Sequence, residues 1–261
     1  MWGPVDLVQY LIAGLIFIQV ELYFPLRNQK LFRRHWRNDL VFLLLNGIVI
    51  QLGLAATIAG LIAAARWAMP HAVGAAVQAQ PLWLQVIEVL LLADTGFYLA
   101  HRAFHTIPFL WKFHALHHSI EEMDWLASYR VHPLDQIVTK TVSYLPVFAL
   151  GFSDASIFIF VLMFKWQALV IHSNSRIGIG PLKWLFASPQ FHHWHHANEP
   201  AAIDRNFAGQ LVFLDWLGGT LYMPHRMPDR YGTDEPVPQR YDRQMLYPLR
   251  PAGAAAPAPG E

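Results

Sequence analysis

The sequence predicts an all-α integral membrane protein: a helical bundle of about four to five spans, or one with a re-entrant hairpin, with a histidine-rich metal-binding cap on its cytoplasmic face. Of the 261 residues, 54% are hydrophobic and only 14% are charged. This leaves too little polar surface to coat a soluble globule of this size. Several apolar stretches approach or exceed the roughly 20 residues that a helix needs to cross a bilayer. Fourteen histidines are present, most of them in clusters.

Five apolar stretches account for the predicted spans. They lie at 5–24, 40–65, 82–100, 141–152 and 155–171. The second stretch contains no charged residue, and the third is predicted to cross despite Glu88 and Asp94. The last two are short and are joined by a turn-like segment, so they predict either two spans or a re-entrant hairpin.

The connector at 25–37 carries five basic residues and no acidic one, a bias typical of cytoplasmic loops. Counting spans from there places 66–80 on the opposite side and returns 101–140 to the cytoplasm. If the last two stretches form a hairpin, the segment after residue 171 is cytoplasmic as well. Every clustered histidine is then expected on one membrane face.

Three histidine clusters carry the strongest functional signal. They have the spacings H-x-x-x-H, H-x-x-H-H and again H-x-x-H-H. The eight residues at these positions are His101, His105, His114, His117, His118, His192, His195 and His196. Residues three or four apart share one helical face, so each cluster presents several imidazoles from a single turn. Imidazole binds iron, zinc, copper and nickel, and the chain has no cysteine. The sequence therefore predicts a polynuclear metal site.

Outlying residues extend this set. His132 and His172 are expected at the same depth and are predicted to be further metal ligands, with a satisfied loop residue as the alternative for His132. Asn174 follows His172 closely and is a candidate cofactor ligand or supporting donor. His193 stays outside the set, because its place in the motif suits a ligand, a supporting group or a spacer equally well.

Asp94 is the candidate supporting carboxylate. Asp94, Tyr98, His101 and His105 follow the spacing i, i+4, i+7 and i+11, which places them on one stripe of a helix. A carboxylate that accepts an imidazole N–H would hold its tautomer and raise its basicity. Burial against another helix is the alternative for Asp94.

These motifs resemble the fatty acid hydroxylase and sterol desaturase superfamily of membrane di-iron enzymes. The resemblance covers about residues 90–223 and includes R-V-H-P at 130–133, H-S-N at 172–174, S-P-Q-F-H at 188–192, D-R-N-F at 204–207 and D-W-L-G-G-T at 215–220. Within the superfamily the chain most resembles the bacterial sterol-desaturase-like branch, which is similar to alkylglycerol monooxygenase. Gly218 departs from the pattern, since relatives often carry an aromatic residue there.

The resemblance implies an enzyme with two non-haem irons, held by the ten histidines named above as ligands, and with O₂ as co-substrate; zinc is a substitute for iron. It implies hydroxylation or desaturation of a C–H bond of a sterol, fatty acyl lipid, ether lipid or carotenoid taken from a bacterial inner membrane. Electrons would come from a separate ferredoxin, b-type cytochrome or reductase, because the chain has no cysteine and no G-x-G-x-x-G motif. The net charge of +1 gives no reason to expect nucleic acid.

The expected organisation is membrane helices and a basic loop at 1–80, a catalytic domain at 81–225 and a partly disordered tail at 226–261. Two other functions remain open: a zinc-dependent membrane hydrolase or isomerase, and a non-catalytic membrane metal-binding protein. A zinc hydrolase usually carries a general-base carboxylate beside its ligands, as in H-E-x-x-H, and the histidine motifs here contain none. A transporter would place its binding groups near the membrane midplane rather than beyond the span ends.

Overall fold

The structure is a computed structural model and describes residues 4–250, so the tail at 252–260 that was expected to be disordered lies outside the described residues. The α-helices are α1 (Pro4–Tyr23), α2 (Trp36–Val41), α3 (Gly47–Ala68), α4 (His71–Gln78), α5 (Leu82–Thr106), α6 (Pro108–His118), α7 (Pro133–Leu150), α8 (Asp154–His172), α9 (Pro189–His195), α10 (Phe213–Leu217) and α11 (Tyr241–Leu246). A π turn at Phe42–Asn46 joins α2 to α3, and 3-10 turns cover Trp125–Tyr129, Gly180–Trp184 and Tyr247–Leu249. The described part of the chain contains isolated β-bridges but no strand.

Three helical stretches in the described range are long and apolar enough to cross a membrane: Trp36–Ala65, Leu82–Thr106 and Asp154–His172. A shorter apolar helix covers Val8–Tyr23. The first of the three exposes much of its apolar surface, as at Leu52, which is 68% exposed. Such surface suits contact with lipid. The predicted fold class, an all-α membrane protein, is confirmed, and the number of spans stays a prediction.

Helices α7 and α8 correspond to the two short apolar stretches, but α7 begins earlier, at Pro133. A proline suits the first helical position, and the ring of His132 caps the helix by accepting a hydrogen bond from the N–H of Leu134 at 3.1 Å. Gly151 ends α7 in the left-handed region, with a φ of 77°. Ser153 then caps α8. The hairpin returns the end of α8 to the end of the bundle where α7 begins.

Helix α5 lies at the centre of the bundle, in contact with α6, α7 and α8. Its approach to α7 depends on Gly96, where a Cβ would lie 2.8 Å from the Cα of Ser143 and 2.8 Å from the carbonyl oxygen of Val142. Only glycine leaves room for backbones this close. The helix that carries the first histidine pair is therefore held tightly by its neighbours.

A buried ionic network ties the basic connector to the start of α7. Arg33 is 3% exposed, and its Nη2 donates to Asp39 at 2.6 Å and to Asp124 at 2.7 Å. Asp39 is fully buried and also accepts from Nε of Arg130 at 2.5 Å. Buried charges are tolerated where opposite charges pair with them in this way. Part of the basic connector therefore faces the protein interior.

The described residues after 225 pack against the rest of the chain. Tyr231 is 6% exposed, and its hydroxyl lies 2.7 Å from Nδ1 of His193. Gln244 is fully buried and accepts a hydrogen bond from Asn38 Nδ2 at 2.8 Å. This segment closes the bundle at the end where the histidines lie. The predicted boundaries at 80 and 225 stay predictions.

Candidate metal centre

Among the described residues, nine histidines converge in two groups at the end of the bundle where α5 and α8 terminate. The five-histidine cluster comprises His101, His105, His114, His118 and His195. The four-histidine cluster comprises His117, His172, His192 and His196. Within each cluster, one nitrogen from each ring lies within 4.8 Å of the others. The rings of His118 and His196 stack with 4.5 Å between their centroids, so the two clusters adjoin.

The H-x-x-H-H motifs divide their side chains between the two clusters. In α6, His114 and His118 are four residues apart and point into the five-histidine cluster, whereas His117 enters the four-histidine cluster. Successive helical residues are rotated by about 100°, so the neighbours His117 and His118 face different groups. The second H-x-x-H-H motif lies on α9 and the residue after it, and it divides the other way. His195 enters the five-histidine cluster, whereas His192 and His196 enter the four-histidine cluster. Each H-x-x-H-H motif therefore supplies imidazoles to both clusters and links the two.

Backbone carbonyl groups determine which ring nitrogen carries the proton in four of these histidines. A carbonyl oxygen only accepts, so the Nδ1 atom beside it must donate, and in a neutral ring Nε2 is left with a lone pair. The pairs are His101 with Phe207 (2.7 Å), His117 with Arg130 (3.0 Å), His172 with Ala168 (2.7 Å) and His195 with Arg205 (2.8 Å).

The lone pairs defined in this way face one another with no proton between them. The Nε2 atoms of His117 and His172 are 3.2 Å apart. Nε2 of His101 lies 3.0 Å from Nε2 of His114, whose Nδ1 donates to a carboxylate oxygen of Asp135 at 2.6 Å. Converging imidazole lone pairs are the donor set of a metal site. The residues present in both clusters therefore fit a bound metal ion.

Burial favours the neutral form of the rings of His118, His195 and His196. It lowers the pKa of His195 to about 3. Burial is also the largest cause that lowers the pKa of His118 and of His196 well below the usual value, and adjacent imidazoles lower it further. Neutral imidazole is the form that binds metal. The burial of the site thus favours coordination over protonation.

Asp94 supports the site through the backbone and not, as predicted, through an imidazole. Its fully buried carboxylate accepts hydrogen bonds from the N–H groups of residues 209–211 at 2.7–3.1 Å. Asp215 accepts in the same way from the N–H of Phe207 at 2.7 Å. Together they hold the loop whose carbonyl group binds His101. The predicted stripe on α5 is present, but helix α5 turns the carboxylate of Asp94 toward this loop.

The structure brings neither His132 nor Asn174 to a cluster. Both ring nitrogens of His132 contact the backbone, because it caps α7 through Nδ1 and its Nε2 lies 3.3 Å from the carbonyl oxygen of Met245. Asn174 uses both ends of its amide on Arg27, donating to its carbonyl oxygen and accepting from its N–H, each at 2.9 Å. His132 therefore stabilises a helix start, and Asn174 attaches the basic connector to the end of α8.

Asp135 is a site residue that the sequence analysis missed. It is 3% exposed, lies in the first turn of α7 and holds Nδ1 of His114. The signal was present in the segment R-V-H-P-L-D, which places a carboxylate three residues after His132. A carboxylate behind a metal-binding imidazole raises the basicity of the ring. Asp135 has the role that the sequence analysis assigned to Asp94.

Gly218, the departure from the family pattern, fits against the ring of Tyr98. A Cβ at residue 218 would overlap the Tyr98 hydroxyl, which accepts from Arg102 at 3.0 Å and lies 3.2 Å from Thr220 Oγ1. We expect Gly218→Ala to destabilise the protein by about 1–3 kcal/mol, because a held side chain must move. Thermal unfolding in detergent measures this, with Gly60→Ala as the control, since a Cβ there meets nothing within 4 Å. Equal losses in both variants would contradict the packing argument.

One cavity opens on the five-histidine cluster, and a second lies beside a residue that supports the four-histidine cluster. One, of about 400 Å³, has His105, His118 and His195 in its wall and opens beside the start of α6. The other, of about 310 Å³, lies between α1, α3, α7 and α8. Its wall includes Ala168, whose carbonyl group binds Nδ1 of His172. Clustered histidines therefore line the first cavity, whereas none of them lines the second.

Curated relatives match this part of the chain. An ornithine lipid hydroxylase of Rhizobium tropici is 33% identical over 147 residues, which is 56% of this chain and 44% of the relative. An alkylglycerol monooxygenase of Xenopus tropicalis is 29% identical over 59% of this chain and 33% of the relative. A very-long-chain aldehyde decarbonylase of Oryza sativa is 32% identical over 54% of this chain and 25% of the relative. The chain thus spans less than half the length of these relatives, and no solved structure matches it.

The family suggested by the histidine motifs is confirmed. The sequence model of the fatty acid hydroxylase family matches residues 86–220, which is just over half of the chain. All nine clustered histidines lie in this range, as do the supporting carboxylates Asp94, Asp135 and Asp215. The chain belongs to the fatty acid hydroxylase family.

Proposed function

We propose that the protein is an O₂-dependent di-iron oxidoreductase that hydroxylates or desaturates a C–H bond of a membrane lipid. The observation that carries this proposal is the pair of adjoining, buried histidine clusters whose Nε2 lone pairs converge with no proton between them. Membership of the fatty acid hydroxylase family supports it. The similarity of the chain to an ornithine lipid hydroxylase and to an alkylglycerol monooxygenase supports it as well.

The nine clustered histidines are proposed to hold two irons, one in each cluster, and His132 is left out of the ligand set. Iron bound there supplies the O₂ activation that an unactivated C–H bond requires. The chain's own residues hold the rings in their metal-binding tautomers and keep them out of water. This all-imidazole set also accepts zinc, so the identity of the metal is what separates an oxygenase from a hydrolase.

The surroundings of the clusters support a lipid substrate. Three stretches of membrane length end at or beside the histidines or the basic connector. The cavity of about 310 Å³ has apolar residues such as Leu43, Ile50 and Leu54 in its wall, together with polar ones that include Lys140 and Lys165. The apolar part of the wall suits part of an apolar chain entering from the bilayer. Ala168 in this wall is the residue whose carbonyl group binds Nδ1 of His172 in the four-histidine cluster.

We propose that the site faces the cytoplasm of a bacterial inner membrane, with the catalytic domain at 81–225 and membrane helices before it. The basic connector and the clusters lie at the same end of the bundle, because Asn174, two residues after His172, binds Arg27. A basic connector is typical of the cytoplasmic side. A separate ferredoxin, b-type cytochrome or reductase is the proposed electron donor, since the chain has no cysteine for an iron–sulfur cluster.

The proposal is tested by metal analysis and Mössbauer spectroscopy on detergent-purified protein expressed with iron-57. We expect about two irons per chain, one for each cluster, and an oxidised lipid that forms only with O₂ and reductant. Stoichiometric zinc without iron after iron-replete expression would instead favour the hydrolase. Bound iron without any oxidised lipid would favour the non-catalytic metal-binding protein.

Asp135 offers a separate test of the metal assignment. Replacing it with alanine removes the acceptor that holds His114, and we expect the metal affinity to fall by about 10–100-fold. Asp135→Asn keeps an acceptor without the charge and should lie between alanine and the unaltered protein. Competition with a chelator measures the affinity. Asp154→Asn, at the exposed start of α8, is the control, and an equal effect there would contradict the role of Asp135.

A further inference from the structure

Five large apolar side chains form an exposed patch in the segments on either side of α9. These side chains, the apolar patch, are Leu182 (55% exposed), Trp184 (52%), Leu185 (43%), Trp216 (69%) and Leu217 (67%). The first three lie in or directly after the 3-10 turn before α9, and the last two lie in α10. The carbonyl oxygen of Leu185 accepts a hydrogen bond from the N–H of Val212, just before α10, at 3.0 Å, so the two segments adjoin. Single exposed apolar residues are common, but a group of this kind marks a contact surface.

Helix α10 is attached to the side of a membrane-length helix. Helix α5 runs to Thr106 and is one of the stretches that can cross a membrane. Directly after α10, Gly218 packs on the ring of Tyr98 in α5, and the guanidinium group of Arg102 donates to the carbonyl oxygen of Gly218 at 3.4 Å. Tyr98 lies eight residues before Thr106, which is about 12 Å along a helix. Helix α10 therefore lies at the level of the last turns of α5, where Leu99 is also 57% exposed.

The protein core does not use the exposed side chains of α10. Val212 is fully buried in an apolar cluster, and Leu214 packs against the same cluster. The charged side chain within the helix, Asp215, is fully buried as well. Trp216 and Leu217 lie outside the cluster and are the exposed residues of α10. The surface that α10 presents to its surroundings is therefore apolar.

A later segment of the chain has the opposite character. The segment 226–243 carries eight charged residues, and none of its large hydrophobic side chains is exposed. The segment 176–185, which contains three residues of the apolar patch, carries only Arg176 and Lys183, and both are basic. The Nζ atom of Lys183 lies 5.5 Å from the centre of the Trp184 ring. Aromatic and basic side chains are typical of the interface between lipid and water. The later segment therefore suits water, and the patch suits lipid.

We propose that the apolar patch inserts into the lipid–water interface of the bilayer leaflet in which α5 ends. A lipid partner follows from the attachment of α10 to the side of α5, because side chains at this level of a membrane helix meet lipid. Leucine and indole side chains gain free energy when they leave water, and an indole N–H can stay at the polar level of the interface. Neither segment is long enough to span a bilayer. The contact holds α9 and its histidines at the membrane surface.

The chain has no cysteine, so single-cysteine variants can be labelled at one chosen position. Leu182→Cys and Leu217→Cys carry an NBD fluorophore in iron-loaded protein, reconstituted into nanodiscs of phosphatidylcholine and phosphatidylglycerol. Leu52→Cys, on the exposed apolar surface of α3, is the lipid reference. Asp229→Cys is the water reference, because the Asp229 side chain is 88% exposed in the charged segment. Quenching by a phosphatidylcholine with a nitroxide on its acyl chain is compared with quenching by iodide in the water.

We expect the nitroxide lipid to quench the labels at residues 182 and 217 as strongly as the label at residue 52, and at least about fivefold more than the label at residue 229. Iodide should show the reverse order, because an ion is excluded from hydrocarbon. Iodide quenching equal to that at residue 229 would place the patch in water and overturn the inference. Protection from both quenchers would show that a second copy of the chain covers the patch, and would overturn it too.

An unlabelled variant covers the case in which a label disturbs the fold. Trp184→Phe with Trp216→Phe removes two exposed indoles, so the nitroxide lipid should quench a smaller fraction of the remaining tryptophan fluorescence than in the unaltered protein. An unchanged fraction would contradict the insertion of the patch. These measurements read neither metal content nor turnover, so their outcome is independent of the proposed function.

Discussion

Replacing His117 with alanine is expected to lower the metal affinity of the four-histidine cluster, and with it lipid oxidation, by at least about a hundredfold. The reason is geometric. His117 supplies one of the four imidazoles of its cluster, and the carbonyl group of Arg130 holds its ring so that the lone pair of Nε2 faces the cluster. Iron analysis should show the loss of one of the two irons. Mössbauer spectra of the variant should lose the signal of a coupled pair.

His132→Asn is the matched control for this substitution. Asparagine is a good N-cap, so this variant keeps the start of α7 while it removes an imidazole from the same region. We expect its iron content to match that of the unaltered protein, because His132 uses both ring nitrogens on the backbone. Iron loss in His132→Asn comparable with that in His117→Ala would return His132 to the ligand set. Unchanged iron in His117→Ala would remove the four-histidine cluster from the proposal.

Replacing Asp39 with alanine is expected to lower the free energy of unfolding by about 3–5 kcal/mol. Asp39 is fully buried and accepts hydrogen bonds from both Arg33 and Arg130. Its removal leaves two guanidinium groups in the interior without this partner. The loss should also reach the metal site, since the carbonyl group of Arg130 holds His117. Thermal unfolding in detergent and iron content on the same sample measure both effects.

Asp242→Ala serves as the control for Asp39. Asp242 pairs with Arg240 at 3.1 Å on the exposed surface, where an ion pair contributes little. The melting temperature of the Asp242→Ala variant should match that of the unaltered protein. A double variant, Asp39→Asn with Arg130→Gln, removes charges of both signs and should be less destabilised than Asp39→Ala with Arg130 intact. An Asp39→Ala variant that melts with the control would contradict the stabilising role of the network.

Hydropathy was enough to predict the three helical stretches that are long and apolar enough to cross a membrane, because a bilayer requires long apolar runs and unbroken helical hydrogen bonding. The ends of the helices were less well predicted. Helix α7 begins at Pro133 because a cap and a proline act locally, although the apolar run starts later. The basic connector shows the opposite problem. Its charge was predicted correctly, but Arg33 is buried against Asp39 and against Asp124, which is distant in the sequence.

The histidine spacing was sufficient to single out eight of the nine residues that the structure brings together, because helical periodicity places them on shared faces, whereas His172 lies outside the three motifs. Spacing could not assign each ring to a cluster. That division depends on how α6 and α9 face each other across the site. Nor could it separate Asp94 from Asp135, since both are carboxylates near histidine motifs and only packing determines which one reaches an imidazole.

The sequence by itself determined that this protein is a helical membrane protein with a histidine-rich site, because composition, hydropathy and local spacing are properties of the chain alone. Only the tertiary structure decided that His132 caps a helix while His172 enters a cluster, and that Asp135 holds His114. The cavity beside the five-histidine cluster is likewise lined by residues distant along the chain, from His105 to Glu235. Such contacts depend on the positions of several helices at once, and no local pattern encodes them.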